Sequence, residues 1–157
     1  MANSCFPDRL IAIALCLLPC LPASIAAQNA ESTSFRMVLS SGPFGLPAEA
    51  NSVDWVVLNE SPDTQAIQVT IWRLGMGYPK AKLSPGTITL RLSPGVAAHD
   101  ANPIGGGGTF QPGYYYEIIV AANDRRVLPT VLVWSDRGAR AIPGTRIGPR
   151  DFVELRQ

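Results

Sequence analysis

Two apolar runs separated by a short polar turn, within Ser52 to Leu74 (SVDWVVLNESPDTQAIQVTIWRL), constrain the fold more than any other part of the chain. Side chains alternate sides with period two along an extended strand. In the first run Val53, Trp55 and Val57 therefore share one side, and Asp54, Val56 and Leu58 the other, where a single charge marks the wetter side. In the second, Ile67, Val69 and Ile71 alternate with Gln68, Thr70 and Trp72, a half-buried pattern rich in β-branched residues. Asn59 to Thr64 combines turn-favouring side chains with Pro62, which cannot donate to a ladder, so the chain is expected to reverse there. The two runs are predicted to form a β-hairpin at the centre of a sandwich. A two-stranded hairpin alone is marginal in water, so other strands must cover its dry side.

The first 27 residues differ in kind from the rest. Arg9 precedes an unbroken apolar run of nine residues, Leu10 to Leu18, followed by Pro19 to Ala27 with small residues near its end. This is the pattern of a secretory signal peptide, with cleavage expected after Ala26 or Ala27. A spanning helix needs about 20 apolar residues, and Pro19 and Pro22 interrupt this run, so no retained membrane anchor is expected. Localisation is therefore predicted to be secreted or periplasmic, with residues 28–157 forming a single domain. All three cysteines, Cys5, Cys16 and Cys20, fall within the leader, which leaves the rest of the chain without a thiol for a disulfide, a metal or a nucleophile. Stability must then come from an ordinary core, which about 130 residues can supply.

Further along, Phe35, Met37 and Leu39 alternate with Arg36 and Val38, suggesting a first strand, and Ser40 to Asn51 is an irregular connection rich in glycine and proline. Gly75 to Pro85 is expected to be loop. Thr87 to Leu92 alternates again, between two copies of Leu-Ser-Pro-Gly at Leu83 to Gly86 and Leu92 to Gly95. Pro-Gly marks type II turns, and it recurs at Pro112-Gly113 and Pro143-Gly144. Tyr114 to Ala121 is a further alternating run, Asn123-Asp124 a polar reversal, and Val127 to Ser135 a strand apolar at nearly every position. Pro129 within it points to a bulge, a strand start or an edge. Phe152 to Leu155 is a last short strand. About seven strands with turn signals between them, and no helical period, predict an all-β chain folded as an immunoglobulin-like β-sandwich.

On Trp55 to Thr70, Val127 to Trp134 (VLPTVLVW) and Ile142 to Val153 (IPGTRIGPRDFV), the chain resembles small secreted bacterial proteins of uncharacterised function that carry a single immunoglobulin-like sandwich. That resemblance implies a fold and offers no catalytic residue to carry over.

Chemistry-bearing residues are few. Without Asp8 and Arg9 the chain has twelve basic and eleven acidic side chains, a balance that excludes the basic excess of a dedicated nucleic-acid binder. Arg125, Arg126, Arg137, Arg140, Arg146 and Arg150 face only Asp136 within their span, so Arg137, Arg140, Arg146 and Arg150 form a candidate anion-binding face. The plainer alternative is a set of solvated turn arginines. His99 stands alone between Ala98 and Asp100 in a loop-like stretch, and one histidine lacks the partners a metal site requires. Gly105 to Gly108 lacks the Lys-Ser/Thr of a phosphate loop and reads as an inter-strand connection. No metal or other cofactor is implied.

Aromatic side chains give the best pointer to a ligand. Trp72 shares the polar side of its strand, and Tyr78 and Tyr115 are candidates for the same outward face, where flat rings stack on sugars or anchor a protein. Trp55 and Trp134 lie in runs apolar on both sides and are expected in the core. The function these features predict is non-enzymatic binding or surface assembly, with a protein or polysaccharide partner. Clustered exposed aromatics would favour sugar, and a long unprotected sheet edge would favour protein by β-augmentation. The alternative is a small exported hydrolase using two of Asp54, Glu60, Asp63, Glu117, Asp124 and Asp136 across a cleft.

Overall fold

A computed structural model describes residues 34–75, 77–104, 110–111, 113–135 and 140–156. The leader expected over 1–27, the Gly105 to Gly108 connection and Arg137 lie outside the described residues. What is described is all-β, without a helix: β1 (Met37–Ser40), β2 (Phe44–Gly45), β3 (Ser52–Asn59), β4 (Gln65–Gly75), β5 (Tyr78–Leu92), β6 (Ala97–Pro103), β7 (Tyr115–Ala122), β8 (Val127–Ser135), β9 (Arg140–Ala141) and β10 (Val153–Glu154). One antiparallel sheet has the order β10-β1-β7-β4-β5, with β2 also on β7, and the other the order β6-β3-β8-β9.

The alternation in the sequence sets which sides are dry. Val53, Trp55 and Val57 of β3 and Val127, Val131 and Val133 of β8 face inward from one sheet, and Ile67, Val69 and Ile71 of β4 with Tyr116, Ile118 and Val120 of β7 from the other. All belong to one buried cluster, so the two sheets pack face to face as a β-sandwich.

The link between β3 and β4 is not a hairpin. β3 pairs with β6 and β8, and β4 pairs with β5 and β7, so residues 60–64 carry the chain from one sheet to the other. In a hairpin the dry sides of the two strands would lie side by side and both still need cover; across the sandwich they cover each other. Asn59 makes the crossing possible. Its fully buried amide donates to the carbonyls of Asp63 and Leu92, each at 2.8 Å, and accepts from the Ser61 backbone N–H at 3.0 Å. Its backbone meets the turn before β6, with its N–H donating to Val96 and its carbonyl accepting from Gly95.

Three further expectations are corrected. The span Gly75 to Pro85 is strand for most of its length, because β4 and β5 form one long hairpin whose register shifts twice to absorb its glycines and prolines. The first Leu-Ser-Pro-Gly lies inside β5, with a cis Ser84–Pro85 bond, whereas the second closes a turn in which the Val96 N–H donates to Ser93 O and Gly95 has φ 72°. His99 sits in β6 opposite Val56, not in a loop. Trp134 is half-buried on the outward side of β8 with Leu128, Thr130 and Leu132; that run is apolar on both sides, so parity alone decides which side is core. β8 lies between β3 and β9, and Pro129 meets the edge expectation only locally. The Val131 N–H points away from β3, to Ile147, and the absent donor two residues earlier falls on that same side, beyond the Trp134 and Ser135 that β9 pairs with.

Candidate functional site

The far end of the β4–β5 hairpin collects most of the exposed aromatic surface. Gly77 takes φ 77° in the turn, a backbone conformation that other residues seldom adopt, and Gly75 pairs with Tyr78 across it. A methyl group on Gly75 would stand 3.0 Å from Tyr78 Cβ, so the absence of a side chain there lets the two strands close. Leu74 pairs with Tyr115 of β7, which brings the start of that strand beside the hairpin.

Arg73, Tyr78, Pro79, Tyr114 and Tyr115 line one cleft of about 470 Å³ here, with Gly75 and Gly113 in its wall. Tyr78 is 77% exposed, Tyr115 50% and Tyr114 41%. Arg73 holds its guanidinium 4.9 Å from the centre of the Tyr114 ring, a cation–π contact that leaves the in-plane N–H groups available to a ligand. Among the described residues no acid pairs with Arg73. Beneath the cleft Tyr116 is fully buried, its ring 4.6 Å from that of Phe110 and its hydroxyl donating to Gln111 O at 2.9 Å. Burial pushes that phenol above its ordinary value, so it stays protonated and anchors the segment that presents Tyr114 and Tyr115.

Of the three aromatics expected as a platform, the structure brings Tyr78 and Tyr115 together and leaves Trp72 outside the cleft lining. Trp72 is half-buried on the same outward face, opposite Lys82 and Glu117. Lys80 and Lys82 lie 4.8 and 5.4 Å from its ring centre, and the Lys80 ammonium also pairs with Glu117 at 3.0 Å. Glu117 in turn accepts from the Ser40 hydroxyl at 2.6 Å, and Lys82 donates to Thr87 at 3.3 Å. This chain of contacts joins β1, β7, β4 and β5 and occupies Trp72 with its own neighbours.

The candidate anion face divides. Arg146 and Arg150 line a cleft of about 540 Å³ with Leu128, Pro149 and Asp151, whereas Arg140 is on β9, opposite Ser135. Asp151 already accepts from the Gly148 backbone N–H at 2.8 Å and places a carboxylate in that cleft. The arginine cleft is the larger of the two, but its charge is partly balanced and it has no aromatic ring.

His99 meets an acid that sequence reasoning did not pair with it: Nδ1 is 3.7 Å from Asp54 Oδ1, too long for a hydrogen bond. Burial pushes the Asp54 carboxyl above its ordinary value; His99 pulls it back and Asp100 adds to the rise. Neither Asp54 nor His99 lines any of the four clefts described, and none of those clefts is lined by two carboxylates. No group of three or more His, Cys, Asp or Glu side chains that could hold a metal occurs among the described residues.

Arg73 and Tyr114 were not anticipated from sequence. A signal for the first was present: from Thr64 to His99 the chain holds Arg73, Lys80, Lys82 and Arg91 and no acid. No family model matches the chain, and neither a curated protein nor a solved structure matches it.

Proposed function

We propose that this protein is a non-enzymatic binding module that holds polysaccharide in the tyrosine cleft, and that it acts outside the cytoplasm once residues 1–27 are removed. One observation carries the proposal: three of the most exposed large apolar side chains, Tyr78, Tyr114 and Tyr115, converge on one cleft beside a stacked guanidinium. Tyrosine rings offer flat apolar faces to the C–H side of a sugar and hydroxyls to its rim. A protein partner adding a strand is disfavoured at β5, where Pro79, Lys80, Lys82 and Arg91 interrupt or charge the edge. We take the sandwich to be of immunoglobulin-like type, for which the Tyr116 hydroxyl bonded five residues upstream, at the start of its strand, is the supporting feature.

The test is retention of the purified protein on insoluble polysaccharides and cell-wall preparations, beside a Tyr78→Ala/Tyr115→Ala variant with an unchanged circular dichroism spectrum. Retention of the parent is expected to weaken roughly fivefold for each ring removed. Equal retention of parent and variant on every material, or retention of neither, would remove the cleft as a sugar site.

A further inference from the structure

Building on the sugar-binding proposal, we infer that the cleft selects polysaccharides that carry carboxylates, with Arg73 as the residue that reads the acid. The β4–β5 hairpin is strongly unbalanced in charge for a nearly neutral protein. It carries Arg73, Lys80, Lys82 and Arg91 and no Asp or Glu along its whole length. Among the described residues a single carboxylate, that of Glu117, pairs with any of these cations, and it pairs with Lys80. The undescribed residues flanking the cleft in sequence, Met76 and Pro112, carry no charge. Among the described residues three of the hairpin's cations therefore have no acid partner, and one of them lines a cleft.

Arg73 is also the cation best prepared to act. Its guanidinium carbon lies 4.9 Å from the centre of the Tyr114 ring, a contact that restricts the side chain before a ligand arrives, so less freedom is lost on binding. The fork of N–H groups at its edge matches the two oxygens of a carboxylate. Tyr78, 77% exposed, and Tyr115 line the same cleft as Arg73. A sugar ring stacked there would put the carboxylate on its rim within the cleft that Arg73 lines, while neighbouring acids along the polymer would meet Lys82. A cleft of about 470 Å³ has room for a short stretch of polymer rather than a long groove, so affinity per site should be modest and aided by repetition along the chain. A nucleic acid would stack on the rings as well, but it would call for a broader basic surface than one hairpin on a molecule of net charge +1.

The experiment is affinity electrophoresis of the full chain in gels containing alginate, polygalacturonate or hyaluronate, each beside its carboxyl-reduced form, with oligothymidylate as a polyanion that carries phosphates and bases but no carboxylate. Retardation is expected with at least one uronate polymer and about tenfold weaker with its reduced form, the loss of one charge-assisted hydrogen bond. Arg73→Gln should abolish the difference in binding between the uronate polymer and its reduced form, whereas Tyr78→Ala should weaken both and preserve that difference. Lys82→Gln, at an exposed position remote from the core, gives a smaller loss on the uronate polymer alone and serves if Arg73→Gln does not fold. Equal retardation by charged and reduced polymers would overturn the acid preference and leave the sugar site standing. Retardation by none of them would overturn both, and tighter retention by oligothymidylate would replace the acidic sugar with a nucleic acid.

Discussion

Asn59 shows how much one buried polar side chain can decide. Its amide is out of contact with water, and both of its ends are used: two carbonyls accept from it and the Ser61 N–H donates to it. Removing it would strand these groups in the crossing between sheets, each at a cost of about 1–3 kcal/mol. Asn59→Ala is therefore expected to lower the unfolding free energy by about 3 kcal/mol, seen as a lower urea midpoint at unchanged slope. Asn59→Asp should be worse, because a carboxylate cannot donate to Asp63 O or Leu92 O. Asp54 presents the opposite case. Its folded carboxyl titrates above its ordinary value because burial disfavours the charged form. The fold then binds this proton more tightly than the unfolded chain does, so stability is greatest below the ordinary carboxylate value and falls as pH rises through the raised one. Asp54→Asn should raise the melting temperature at neutral pH, with the gain shrinking as the pH is brought down to 4. A gain independent of pH would show that the carboxylate charge is not its source.

Among the elements, β5 and β8 show how exposed backbone is managed. β5 is the outermost strand of its sheet and fifteen residues long, a template for unwanted pairing. Pro79 and Pro85 remove donors from it, and Lys80, Lys82 and Arg91 place charge along it. Lys80→Thr/Lys82→Thr should therefore self-associate, with a light-scattering mass that rises with concentration where the parent's stays constant. In β8 the donor missing at Pro129 faces no strand, whereas the Val131 N–H, on the same side, bonds Ile147 at 2.9 Å. Pro129→Ala is expected to cost about 1–2 kcal/mol, from the contacts of its buried ring, and Val131→Pro about 3 kcal/mol or more, both measured by urea unfolding. Similar costs at the two sites would contradict the edge assignment. The turn after β7 is secured differently: Arg126 donates to Asp124 through its backbone and side chain, and these bonds hold the Asp124 carboxyl down at about 2. That contribution is present above the ordinary carboxylate value and is lost only as the pH falls towards 2.

Over the described strands the chain changes sheet at β2 to β3, β3 to β4, β5 to β6, β6 to β7, β7 to β8 and β9 to β10, so neither sheet is a contiguous piece of sequence. The two layers should then unfold together. Ile118 lies in the sheet opposite Trp55, and both are buried in the same cluster. Ile118→Ala, in a chain whose Trp72 and Trp134 are replaced by Phe so that Trp55 is the only tryptophan, is expected to cost about 3 kcal/mol and to move the tryptophan fluorescence transition and the far-UV circular dichroism transition by the same amount. Separation of the two transitions would mean that the layers melt independently.

Period-two alternation by itself determined the class of the fold and the inward residues of β3, β4 and β7, because a side chain's face follows from parity wherever a strand is extended, whereas β8, apolar on both sides, left its core face open. It also put Trp72 on the outward side of its strand. Parity says nothing of which strand lies next to which, and so the pairing expected between β3 and β4 gave way to a crossing that a buried asparagine stabilises. Parity found Thr87 to Leu92 but not the first part of β5, through two prolines, since composition there signals turn while the hairpin partner supplies the pairing. The cleft depended on the same long-range terms. Two register shifts in the hairpin and the pairing of Leu74 with Tyr115, forty-one residues apart, bring Tyr78, Tyr115 and Arg73 into the lining of one cleft. Local alternation could supply the rings; only the tertiary pairing of three strands decided that they share a site and that a guanidinium stands among them.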